Sequence, residues 1–292
     1  MAERSNAQSA VGIGIALLIG TAIALAGSHG GSRYAGLPVF ALCGALAFVV
    51  NWLAFIPAAI KRTEHYYDLV GGLTYISVTL TAVAWSENLD TRAMLAAGMV
   101  LVWALRLSSF LFLRISSAGG DSRFDEIKHQ PLRFLMAWTL QGLWVLVTAA
   151  AALAIITGGN RLPMGVVGWL GFGVWCFGFA VEVIADRQKS AFRKDPANAG
   201  RFINSGLWAW SRHPNYFGEI VLWTGMAIMA VPVLQGGQWG TLISPVFVAL
   251  LLMKVSGVPM LEEKADQRWG GQADYEAYKA KTPVLVLKPP AG

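Results

Sequence analysis

The chain has 292 residues, a formal net charge of +6, 55% hydrophobic residues and 14% charged ones. Soluble domains carry about a quarter charged residues, and a soluble chain of this size could not hide so much apolar surface in one core. Disorder and a disulfide scaffold are excluded as well: the two cysteines, Cys43 and Cys176, both sit in apolar stretches as small hydrophobes. The composition predicts an all-α, polytopic transmembrane helix bundle.

A bilayer core of ~30 Å needs ~20 mostly apolar residues per helix. In chain order such stretches fall at 11–27, 38–60, 66–85, 93–113, 134–157, 163–185, 217–234 and 241–260. The first is short and Gly-rich. Its Ala24-Leu25-Ala26 resembles a signal cleavage site, but Glu3 beside Arg4 leaves no positive leader region. A spanning N-terminal helix added to a seven-helix core is therefore expected. The organisation expected is one integral membrane domain: an N-terminal helix and loop over 1–37, a helix core over 38–260 and a C-terminal tail over 261–292. No strand is expected.

With all eight stretches spanning, the loops and termini on one side hold 18 Lys and Arg and those on the other hold 3. The positive-inside rule then puts both termini in the cytoplasm, of the bacterial inner membrane or, as the alternative, at the endoplasmic reticulum. The basic balance points to membrane and a small anionic ligand, with no nucleic acid. The cytoplasmic loops 114–133 and 186–216 are long and basic, and long loops in compact proteins tend to be functional. Lys189 and Lys194 read as solvated or drawn to anionic lipid.

Asp68, Arg106, Glu182, Glu219 and Lys254 lie in or near the spans, where each charge costs roughly 2.5–3.5 kcal/mol at a helix centre. Glu182 and Asp186 share a helix face, as do Asn215 and Glu219, Arg212 and Tyr216, and Arg106, Phe110 and Arg114. Arginines over such a cavity suit phosphate oxygens in two-point contacts. Pro214 fits the first turn of a helix, with His213 or Ser211 near its cap and Arg212 and His213 as donors at its anion-favouring end. Gly218 lets a neighbour or ligand approach the backbone. The glycine pairs Gly12/Gly14 and Gly171/Gly173 read as packing contacts.

The run Gly206-Leu207-Trp208-x-x-Ser211-Arg212-His213-Pro214-Asn215-Tyr216-Phe217-Gly218-Glu219, preceded by Glu182-x-x-x-Asp186 and Arg193, resembles the membrane-embedded steroid 5α-reductase family, in its bacterial form. The similarity extends over about residues 38–290. It implies a seven-helix core that takes NADPH from the cytoplasmic side and reduces the activated C=C bond of a lipophilic enone entering from the bilayer, a 3-oxo-Δ4 steroid or similar lipid. The resemblance assigns the cofactor to Glu182, Asp186, Arg193, Arg201, Asn215, Tyr216 and Glu219, with Arg106, Arg114 and Lys254 as looser matches. Arg212 and His213 join this set from their place beside the helix start. The family's carboxylate and tyrosine at the substrate carbonyl fall near Asp68 and Trp103, so aspartate replaces glutamate and tryptophan replaces tyrosine. Tyr66 or Tyr67 is the alternative hydroxyl. In its acid form Asp68 would donate to the ketone oxygen, where charge builds as hydride arrives at the β-carbon.

The competing reading is a membrane S-adenosylmethionine-dependent methyltransferase of the isoprenylcysteine or phospholipid type. Those enzymes carry a similar Arg-His-Pro-x-Tyr-x-Gly helix start and an acidic pair near the C-terminus, here Glu262-Glu263. No Gly-x-Gly-x-x-Gly follows a strand, which excludes a Rossmann site. The four histidines show no metal-ligand spacing, and no Gly-x-Ser-x-Gly elbow occurs. His65, beside Tyr66, Tyr67 and Asp68, reads as interfacial.

Overall fold

The computed structural model describes residues 2–118 and 124–290, with the side chains of 6–113 and 124–290. The chain is almost entirely helical. In order come α1 (Ala2–Gly27), α2 (Val39–Lys61), α3 (Tyr67–Trp85), α4 (Thr91–Ala118), α5 (Pro131–Thr148), α6 (Ala150–Thr157), α7 (Gly165–Lys194), α8 (Pro214–Ala230), α9 (Ile243–Leu250), α10 (Val258–Trp269) and α11 (Ala273–Lys281). Among the described residues seven helical segments are long and apolar enough to cross a membrane, starting with Asn6–Gly27. The count becomes eight when α5 and α6, bent by 55° at their junction, are taken as one span. This is an integral membrane helix bundle. The last span, Gly236–Trp269, is not a uniform α-helix: a π-turn over Leu251–Val255 interrupts it, with the Ser256 amide reaching back to Leu251 O at 3.0 Å.

Three features differ from the sequence expectations. A small strand pair does form, β1 (Arg33–Tyr34) with β2 (Leu37–Pro38). Its two turn residues, Ala35 and Gly36, have φ of 50° and 81°, the left-handed pair that a two-residue hairpin needs. The segment 186–194 is not loop but the continuation of α7, which runs for 30 residues. Hydropathy ends at the first charges, whereas Arg, Gln, Lys and Ala are good helix formers, so the helix does not. The C-terminal region, expected as a tail, folds into α10, α11 and an extended strap.

The chain forms two compact units, residues 1–168 with 230–244, and residues 169–229 with 245–292. In the first unit, small residues admit large neighbours: Gly20 and Gly27 receive the rings of Phe48 and Phe40, and Gly72 receives Ser108. Several polar side chains inside its spans bond within the wall. Asn51 Nδ2 donates to Ala47 O at 2.8 Å and Thr74 Oγ1 at 3.2 Å, and Trp52 Nε1 donates to Thr139 Oγ1 at 3.0 Å. Arg92, only 1% exposed, donates from Nη2 to Pro163 O at 2.7 Å and Met164 O at 3.0 Å.

The second unit is organised by the antiparallel pair α7 and α8, which approach backbone to backbone. A Cβ on Gly171 would stand 2.6 Å from Gly225 O, and one on Gly178 would stand 2.6 Å from Gly218 O. Gly171 is thus the packing contact expected of it. Gly173 and, in the first unit, Gly14 are not: a Cβ added at either would meet no neighbouring element within 4 Å.

Candidate functional site

The glycine contacts set a register in which Glu182, on α7, lies beside the start of α8: a Cβ on Gly218 would meet the Glu182 amide nitrogen at 2.6 Å. Along α7, Glu182, Asp186, Lys189 and Arg193 follow helical spacing and form one stripe. Glu182 is 2% exposed and Asp186 5%, while Arg193 is exposed. On α8, Glu219 is buried and Asn215 and Tyr216 are half-buried. Acids sit deep and bases shallow, along adjacent helices.

The start of α8 follows from its sequence. Pro214 occupies the first turn, the Ser211 hydroxyl accepts the His213 amide at 3.1 Å, and the Phe217 amide reaches His213 O at 3.1 Å. Glu262 of α10 closes over this corner. One carboxylate oxygen takes Arg212 Nη1 at 2.7 Å and the other contacts His213 Nε2 at 2.7 Å. The His213 ring stacks on Tyr216 with centroids 5.6 Å apart. His213 Nδ1 and Arg212 Nε are buried without a hydrogen-bond partner. Burial holds the imidazole below its ordinary value of 6.5, outweighing the Glu262 contact that raises it.

The strap completes the corner. The Arg212 amide donates to Pro283 O at 2.9 Å, the Lys288 amide donates to Trp210 O at 3.0 Å, and the Ser211 hydroxyl donates to Leu285 O at 2.8 Å. Tyr278 donates to Trp208 O at 2.7 Å, and burial raises its phenol pKa. Trp208 Nε1 donates to Ala185 O at 2.9 Å, tying the 206–209 turn to α7. Lys189, expected to be solvated, lies over the Trp208 ring with its ammonium 4.2 Å from the centroid. Lys194 is exposed.

Of the residues assigned to cofactor, the second unit carries Glu182 and Asp186 on the stretch of α7 by the start of α8, and Arg212, His213, Asn215, Tyr216 and Glu219 at or just before that start. Arg193 lies further along α7. Arg201 is exposed at a cavity of about 150 Å³ lined also by Phe192, Asn198, Phe202 and Asn204. Lys254 is exposed in the π-turn. Arg106 belongs to the first unit, over the Phe110 ring at 5.3 Å. Arg114 is on α4, and its side chain lies outside the described residues.

The substrate-side candidates all belong to the first unit. Asp68 stands in the first turn of α3 and is half-buried. Tyr66 is 55% exposed and Trp103 is 2% exposed, edge-on to Tyr75 at 5.0 Å. The Tyr67 hydroxyl donates to Ala137 O at 2.9 Å, and its ring packs on Phe124 and Trp138. His65 packs edge-on against Tyr66 and Phe112. Sequence reasoning weighed Glu262 only as a methyltransferase feature and did not pair it with Arg212 and His213. The one signal available was chemical, since an adjacent Arg and His call for a carboxylate, but the sequence does not say which one.

The helices and this polar corner define an integral membrane protein with an ionisable site at one end of a helix pair. The chain belongs to the family described as "Protein of unknown function (DUF1295)", which matches residues 54–282. It is 27% identical over 133 residues to "Probable O-methyltransferase ustE" of Ustilaginoidea virens, covering 44% of this chain and 43% of that protein. It is 24% identical over 159 residues to an uncharacterized protein of Schizosaccharomyces pombe, covering 45% of this chain and 46% of the other. The chain thus spans less than half the length of these curated relatives. No solved structure matches it.

Proposed function

We propose that this protein is a membrane reductase that uses NADPH to saturate the activated C=C bond of a lipophilic enone, a 3-oxo-Δ4 steroid or similar lipid. The observation that carries the reading is the ordered polar stripe: Glu182 and Asp186 buried on α7 beside Asn215 and Glu219 on α8, grading into Lys189 and Arg193. Membership of a membrane family related to the steroid 5α-reductases supports it.

The donor set suits such a cofactor. Asn215 and Glu219 offer a donor and an acceptor one turn apart, the complement of a carboxamide. Arg193, Arg201 and Arg212 suit phosphates, and the unpartnered Arg212 Nε and His213 Nδ1 leave hydrogen-bonding capacity for a ligand. Bound there, NADPH would supply a hydride. The chain's own part is to orient the nucleotide, keep water from the apolar substrate and deliver a proton to the developing oxyanion, a role we assign to Asp68. The distribution of Lys and Arg supports a cytoplasmic position for both termini, and with them this site.

A methyltransferase is the second reading, favoured by the Glu262 contacts to Arg212 and His213 and by the printed name of the Ustilaginoidea relative. Titration of the purified protein separates the two. NADPH should bind, seen as enhanced nicotinamide fluorescence, and Asn215→Ala and Glu219→Ala should each weaken it about tenfold or more. Binding of S-adenosylmethionine in place of NADPH would overturn the reductase assignment.

A further inference from the structure

We infer that Glu262 is a positioning residue: it fixes His213 as the Nε2–H tautomer and so presents Nδ1 as a hydrogen-bond acceptor to the nucleotide of this site. The tautomer stands on geometry alone, and its use by a nucleotide rests on the reading above.

The Glu262 carboxylate has two oxygens and both are engaged, one by Arg212 and one by the His213 ring, each at 2.7 Å. A guanidinium only donates, so it holds the carboxylate ionised, and an ionised carboxylate only accepts. Nε2 must therefore carry the proton it shares with Glu262. The groups around the ring are Glu262 of α10, Arg212 on the same loop, Lys189 of α7 and the Tyr216 face of α8. Burial and the two cations favour the neutral imidazole, whose second nitrogen is then a bare lone pair. That atom, Nδ1, is buried with no partner, on a residue only 4% exposed. A buried acceptor left unsatisfied is costly, and an N–H or O–H of a bound nucleotide would satisfy it.

Glu262→Gln tests the arrangement because an amide cannot serve both neighbours as a carboxylate does. Its oxygen turns to Arg212 and its NH2 faces Nε2, which must give up its proton, so Nδ1 becomes the donor. Histidine-selective nitrogen-15 spectra of the unliganded protein in detergent, with the His213 signal identified through His213→Asn, should show bare Nδ1 in the wild type. In Glu262→Gln the two nitrogens should exchange roles, and NADPH affinity should fall roughly ten- to hundredfold. A wild-type Nδ1–H tautomer, or an unchanged tautomer in the variant, overturns the inference. The wild-type spectrum decides the first half even if the variant does not fold. Exchanged tautomers with unchanged NADPH affinity overturn the acceptor role. The expected spectra in a wild type that binds no NADPH support the clamp and count against the reductase reading.

Discussion

Two arginines show how the units differ. Arg92 in the first unit places its fork on the backbone oxygens of Pro163 and Met164, groups that never change charge. Arg212 in the second faces Glu262, a carboxylate that also contacts a histidine. The first arrangement holds backbone in place. The second holds other side chains in a chosen state, which a binding site requires. The same contrast separates their neighbours: Asn51 and Trp52 bond across helices of the wall, whereas Glu182, Asp186, Asn215 and Glu219 gather at one end of a single helix pair.

The hardest test of that contrast is steric. Gly218→Leu would drive a side chain into the Glu182 amide, 2.6 Å from its Cβ, and should prevent a stable fold, read as loss of the monodisperse detergent-solubilised species. Gly173→Ala, whose Cβ would meet no neighbouring element within 4 Å, should be neutral or raise the thermal midpoint by the helix-propensity gain of up to ~1 kcal/mol. Chemistry comes next. Asp68→Asn should lower enone turnover about a hundredfold while NADPH titrates as in the wild type, whereas Asn215→Ala should lose nucleotide affinity. Equal NADPH affinity in wild type and Asn215→Ala would remove that amide from the site.

Arg92→Met should lower stability by ~1–3 kcal/mol, since two carbonyls, that of Met164 buried, lose a donor, without altering NADPH affinity. A change in affinity would mean that the two arginines are not so different. The smallest effect concerns pH. His213 has its pKa held below 6.5, so it contributes stability that is present above that value and is lost as acid protonates the ring. Between about pH 8 and about pH 5 the thermal midpoint should fall more in the wild type than in His213→Asn.

Much of this was legible in the sequence. Runs of apolar residues located most spans to within a few residues, though α7 and the last span run nine residues past their apolar stretches, and Pro214 marked the start of α8, because both signals are local. The glycine contact Gly178–Gly218 was not, since either glycine alone is only a small residue and its meaning appears when two helices meet. The bend between α5 and α6 falls at Ala149, where neither proline nor glycine announces it. The strap was equally hidden, because its bonds to 210–212 are mostly made to backbone oxygens, which any sequence supplies. The polar residues of α8 were found from their spacing, whereas Glu262 lies some fifty positions away from its partners and only folding brings it to them.

The unbroken length of α7 has a consequence for what can occupy its stripe. Glu182 and Arg193 are joined by rigid helix, at 1.5 Å per residue, so their backbones stand about 16 Å apart along the axis. A flexible linker would let the basic rim settle onto molecules of many sizes. Here the helix acts as a gauge: only an elongated molecule with polar ends can touch both marks, and compact anions reach one alone.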